Sequence, residues 1–294
     1  MTTDLSVKEK TRRPLRASAP LLVAASNLGL LSDLPGSWVG GGFNLISLPD
    51  RADNKTFRLK LNATVETLTF TPIGGPIPNR GSVQGDIMLH GLHYLQQVSD
   101  AVTFEGLHLE PGLWLNVPPT SDPDVPHGTI VRQSTIPHGD SLLAQSTFLA
   151  TVAGGPTIAP VSSTPTRVDH KPLPFGYFND SSTPTPLPPG IPEGAIENPN
   201  IVLTSKLDSQ AKQGMEISKT VVIEVSTHPV GKIVNIPFID KNAEATKLDA
   251  IFWIETVVQP DGTEFMQLQY TQTVNLRFDE IDWPHISVAT LVKQ

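Results

Sequence analysis

The chain contains no cysteine, which excludes a disulfide scaffold, a thiolate metal site and a cysteine nucleophile. Charge is sparse as well: 17% of the 294 residues are Asp, Glu, Lys or Arg, and the 21 basic residues are outnumbered by 29 acidic ones. The resulting net charge of −8, with no basic stripe, excludes a nucleic-acid footprint. Long apolar runs are missing. The stretch Ala19 to Ala25 follows Arg12-Arg13-Pro14-Leu15-Arg16 in the order of a secretory signal, but Pro20 and Ser26-Asn27 interrupt it. No window approaches the ~18 uninterrupted apolar residues of a membrane span. A short amphipathic helix over 20–31 is the expectation there, in a soluble, cytoplasmic protein with no membrane partner. Long helical periodicity is also absent, whereas 28 prolines are present, about twice the ~5% average.

From Gly36 onward the pattern is that of strands. Phe57-Arg58-Leu59-Lys60-Leu61 alternates at period two, and further strand-like runs continue to Val152, enough for eight strands. The segment 154–200 breaks the rhythm, with Pro184, Pro186, Pro188 and Pro189 removing backbone donors. A short helix near Leu203 to Met215 follows, then two hairpins: Thr220–Ser226 with Ile233–Phe238, and Ala250–Val258 with Thr263–Phe278 through Gln259-Pro260-Asp261-Gly262. Closure is the standard escape from exposed edges for so many strands. The fold class expected is therefore all-β, an antiparallel up-and-down barrel with a long proline-rich insertion. Residues 1–19 form a tail, 20–152 the first part of the barrel, 153–246 the insertion with its helix and hairpin, and 247–294 the closing strands. Phe175, Tyr177, Phe178 and Ile191 punctuate the insertion, so it is expected to be ordered across the barrel mouth or at a contact between copies in a homo-oligomer.

Three motifs stand out. Gly36-x-Trp38-x-Gly40-x-Gly42 opens the first strand, and Leu107-His108-Leu109-Glu110-Pro111-Gly112 turns a corner in mid-chain. Leu268-Gln269-Tyr270 and Pro284-His285-Ile286-Ser287-Val288-Ala289-Thr290-Leu291 close the chain. In this order they resemble the nitrobindins, ten-stranded barrels similar to fatty-acid-binding proteins and lipocalins that hold haem b. The resemblance implies that His285 is the proximal iron ligand, and it implies nitric oxide binding and a peroxynitrite isomerase-like activity. It departs at Asn44, where the family carries a third glycine, and the insertion has no family counterpart.

Read without the resemblance, the last strand places His285, Ser287, Ala289 and Leu291 on one face and Ile286, Val288, Thr290 and Val292 on the other. A histidine at a strand mouth is more often a rim residue hydrogen-bonded to a loop; facing inward beside small residues, it leaves room for a flat prosthetic group. The cofactor is expected to be haem b, with His285 on the iron, Trp38, Gly40 and Gly42 forming the pocket wall, and His138 overhanging the distal side. Nitric oxide, peroxynitrite or a peroxide is then the small-molecule ligand. The rival readings are a metal-free carrier, with His285 as polar anchor, and an enzyme under a lid made by the insertion. His90 and His93 point to opposite faces of a strand and do not form a metal pair. Asp140 and Ser141 beside His138 suit turn capping better than a catalytic triad. His108 with Glu110 fixes a corner, and Arg277 is expected to stack over Trp38.

Overall fold

The computed structural model describes residues 27–174, 177 and 186–294. Ten antiparallel strands form a closed barrel: β1 (Gly36–Asp50), β2 (Lys55–Pro72), β3 (Ile87–Asp100), β4 (Gly106–Val117), β5 (Thr129–Ile136), β6 (Asp140–Ala153), β7 (Glu216–Ser226), β8 (Glu244–Val258), β9 (Glu264–Phe278) and β10 (Ile281–Lys293). Each pairs with the next, and β1 closes the ring on β10 in a register from Trp38 opposite Lys293 to Leu45 opposite Ile286. No edge is left open, as expected for this many strands without covering helices. Among the described residues, the two helices beyond single turns are α1 (Ile201–Lys212) and α2 (Pro237–Asn242). No helix among the described residues is long and apolar enough to cross a membrane.

Two cores sit on opposite sides of the barrel wall. Inside, Trp38, Leu68, Leu92, Trp114, Phe252 and Leu291 belong to one buried cluster. Outside, Phe43, Leu45, Phe57, Leu59, Trp283, Ile286 and Val288 form a second, covered by Ile158, Val161, Leu187, Ile191, Ala195 and Leu203 of the segment between β6 and β7. The alternation in β2 is genuine, but its apolar residues Phe57, Leu59 and Leu61 face out under this cover. The described part of the proline-rich segment is thus ordered, yet it lies along the outer wall and not across the mouth. Thr271 Oγ1 donates to Asn200 Oδ1 at 2.6 Å, Asn200 Nδ2 donates to the Ala159 carbonyl at 2.7 Å, and Ser47 Oγ bonds the Tyr177 hydroxyl at 3.0 Å. Thr166–Arg167 adds two residues of ladder to β10.

Three further expectations are corrected. Glu216–Ser226 does not pair with 233–238; it is a barrel strand between β6 and β8, while Lys232–Asn235 pairs separately with the start of β6. Arg277 does not reach Trp38; it binds Asp282, its cross-strand neighbour, at 2.8 Å, and Lys293, in register with Trp38, places its ammonium 5.3 Å from the indole centre. Residues 29–31 form a 3-10 turn, and the remainder of the helix expected over 20–31 falls largely outside the described residues.

One buried acid lies under α1. Glu255 accepts from Gln267 Nε2 at 2.6 Å, Gln267 pairs with Gln210 of the helix, and the other carboxylate oxygen has no partner among the described residues. Burial pushes the Glu255 carboxyl up from 4.5 to about 7. Between those values the folded protein keeps a proton that the unfolded chain has released, so this group's contribution to stability is full below pH 4.5 and declines as pH rises through 7. The loss is on the order of 3 kcal/mol. In Glu255→Gln the fall in stability between pH 4.5 and 7.5 should shrink by about that amount, measured by denaturant midpoints across the range; an unchanged slope rejects the assignment.

Candidate functional site

The interior is not apolar throughout, and its polar groups form a floor. Arg132 of β5 and Glu110 of β4 are both buried and joined at 2.6 Å. The Arg132 Nε donates to the Tyr94 hydroxyl at 3.1 Å and Nη1 to Gln272 Oε1 at 2.7 Å, while the guanidinium lies 5.6–5.8 Å from the ring centres of Tyr94, Trp114 and Phe252. The Tyr94 hydroxyl donates to Glu110, whose second oxygen lies 3.1 Å from His108 Nε2. Burial works against ionising Glu110, but Arg132, His108 and Tyr94 outweigh it and hold the carboxyl well below the usual carboxylate range. A parallel set joins the Tyr270 hydroxyl to Glu66 at 2.6 Å, with Thr64 and Gln96 donating to the same group of atoms. Here no arginine or lysine among the described residues pairs with the acid, and burial raises the Glu66 carboxyl.

Above this floor opens a cavity of about 390 Å³. It lies at the end of the barrel that carries the β3–β4 and β5–β6 turns. Its wall is largely aliphatic, with Ile46, Leu48, Val98, Leu107, Ile136, Leu142, Val274 and Leu276 contributed by six strands, and Ile233, Ile239 of α2 and Ala243 closing one side. Asn44, Asn62, Gln96, His108, His138, Asp140, Tyr270, Gln272, His285 and Ser287 supply polar atoms, and exposed Lys60 stands at the rim.

Of the residues selected from sequence, the structure brings His285 and His138 to this cavity. The alternation of β10 is as expected: His285 and Ser287 face in, Ala289 and Leu291 continue into the inner core, and Ile286 and Val288 face the outer one. His138 sits in the β5–β6 turn with its ring centre 5.8 Å from that of His108 and the planes tilted by 44°, so the two rings lie side by side on the far wall. Trp38, Gly40 and Gly42 are not in the lining. Trp38 is fully buried and donates to the Leu34 carbonyl at 2.7 Å. The two glycines do not hollow the wall: a Cβ on Gly40 would lie 2.1 Å from the Thr290 carbonyl oxygen, and one on Gly42 would lie 1.9 Å from that of Val288. They allow the closing strand to approach. His90 and His93 lie elsewhere on β3, half-buried and exposed respectively. Ser141 bonds Thr135 at 3.2 Å, a turn contact and no part of a triad.

The atoms around His285 decide what it can do. Its Nε2 lies 2.7 Å from Asn44 Oδ1, which also accepts from Ser287 Oγ at 2.9 Å. Asn44 and Ser287 are directly opposed across the β1–β10 seam. Burial, with the charges of His108 and His138 adding to it, pushes the imidazole down to about 3, so it is neutral at physiological pH. With Oδ1 as acceptor, Nε2 carries the proton and Nδ1 keeps the lone pair. Reversing the Asn44 amide still leaves Nε2 occupied. A neutral imidazole facing a cavity is the right chemical form for an iron ligand. As arranged, Nε2 is taken by Asn44, so an iron on that nitrogen requires the amide to withdraw, while Nδ1 keeps its lone pair. Among the described residues no group of three or more His, Asp and Glu side chains is placed to hold a metal ion.

Sequence reasoning missed Asn44, Asn62, Arg132 and Tyr270. The parity of Trp38 carries along β1 to Asn44, and the alternation of Thr129–Ile136 places Arg132 with Ile130 and Ile136, so both were accessible once the inward faces were assigned.

No protein-family model matches the chain, and no curated protein sequence matches it. Among solved structures, the crystal structure of Rv2717c from M. tuberculosis aligns over 95% of this chain and 99% of that chain, with 18% sequence identity and a TM-score of 0.45.

Proposed function

We propose that the barrel binds one small, mostly apolar molecule in this cavity, without a metal, and holds its polar end at His285. The observation that carries the reading is the occupied Nε2 of a neutral His285 at the side of an aliphatic cavity whose volume falls within the ~300–1,000 Å³ of small-molecule sites. In such a site the apolar wall supplies affinity and a few convergent polar atoms supply orientation. His285 then acts as a hydrogen-bonding anchor, fixed in tautomer and direction by Asn44 and Ser287. The neutral dye Nile red should bind one-to-one with enhanced fluorescence. Ala245, small and at the cavity edge, provides the control. Ala245→Phe should fill the space and weaken dye binding by about tenfold or more, equivalent to ~1.4 kcal/mol. Undiminished binding in a folded Ala245→Phe variant contradicts this reading.

A haem-bound, nitrobindin-like protein acting on nitric oxide, peroxynitrite or a peroxide is the second reading. It draws on the ordered motifs ending in Pro284-His285 and on the neutral state of that imidazole. It requires Asn44 to withdraw from Nε2.

A further inference from the structure

We propose that the molecule selected by this cavity carries a neutral hydroxyl at its polar end, as a long-chain alcohol or a phenol does, and that the matching carboxylate is rejected. This rests on the cavity being the ligand site and adds the chemical class. Asn62 of β2 lines the cavity and is directly opposite Asn44 in register. Its Nδ2 donates to Asp100 at 2.6 Å, while Oδ1 has no partner among the described residues although Asn62 is only 8% exposed. An unpaired buried acceptor costs ~1–3 kcal/mol, a cost that a ligand donor removes. Next to it, Asn44 has spent Oδ1 on His285 and Ser287, and no residue among those described accepts from its Nδ2. Among the described residues no donor reaches His285 Nδ1 either. The Asn44 amide donor and the His285 Nδ1 acceptor thus lie in the lining beside the unpartnered, buried Asn62 Oδ1, all uncharged. A hydroxyl has one proton to give and lone pairs to receive, which matches that set.

A carboxylate has nothing to give these acceptors, and among the described residues the lining holds no arginine or lysine to meet it apart from Lys60, while His108, bound to Glu110, and His138 stand on the far wall. Arg132 is committed to Glu110, Tyr94 and Gln272, and its charge is balanced by Glu110. Glu66 and Asp140 add acid around the cavity, and burial raises both carboxyls. Lys60 is exposed at the rim, where water screens it.

The test compares 1-decanol, decanoate and 1-methoxynonane as displacers of Nile red at pH 7. The ether matches the alcohol in size and lacks only the donor, so the alcohol–ether difference isolates the hydrogen bonds from chain burial. The alcohol should bind about tenfold more tightly than the ether, and decanoate more weakly than the alcohol. In Asn62→Leu and His285→Phe the alcohol–ether gap should close to about twofold or less. Two variants are used so that one misfolded protein does not decide the result. Decanoate binding as tightly as the alcohol, or a gap unchanged in both variants, overturns the hydroxyl class while leaving the site in place. Failure of Nile red and all three displacers to bind overturns the site as well.

Discussion

Arg132→Met should cost about 3–5 kcal/mol of stability, because it leaves Glu110 ionised, fully buried and without its cation. The loss arises from the stranded charge more than from the missing contact. Glu110 then has only His108 and Tyr94 as partners. The double variant Arg132→Met/Glu110→Leu removes both charges and should recover most of the loss, as replacement of buried ion pairs by apolar residues often does. Denaturant midpoints of the two variants check this. A single-variant cost below about 1 kcal/mol means that Glu110 is neutral in the folded protein and that the floor of the cavity is held by ordinary hydrogen bonds.

Gly42→Ala should prevent the barrel from closing, with a loss of roughly 3 kcal/mol or more, at the upper end of overpacking costs. The added methyl has no flexible side chain to push aside: it meets the Val288 carbonyl oxygen at 1.9 Å and Ala289 Cα at 2.7 Å, both on the strand that completes the ring. Gly75→Ala is the matched control, since nothing lies within 4 Å of a Cβ there. Melting temperatures of the two variants give the comparison. A Gly42→Ala protein that melts with the parent and loses ligand instead returns this glycine to the cavity wall.

The barrel was legible because its closing strands are regular. The alternation in Pro284–Val292 assigned both faces of β10, and the Gln259-Pro260-Asp261-Gly262 turn fixed the β8–β9 hairpin, where Gly262 takes a φ of +84°. Pairing across the proline-rich segment was not legible. The pattern of Glu216–Ser226 states that it is a strand but not that its neighbours are β6, which ends more than 60 residues earlier, and β8. Period two also does not say which face is inside. Phe57, Leu59 and Leu61 look like barrel-core residues, and only the second core under the outer segment explains why they point away from the cavity and Lys60 toward its rim. In the site, His285 was readable from position and parity. Its chemistry was not, because that depends on Asn44, 241 residues away in sequence and 2.7 Å away in space.

The proposed metal-free role of His285 is tested most directly by titrating the purified protein with haemin and following the Soret band. With Nε2 held by Asn44, the parent should show no stoichiometric Soret change that His285→Ala removes. Saturable one-to-one haemin uptake by the parent, lost in a folded His285→Ala variant, would contradict the account and place iron on that side chain.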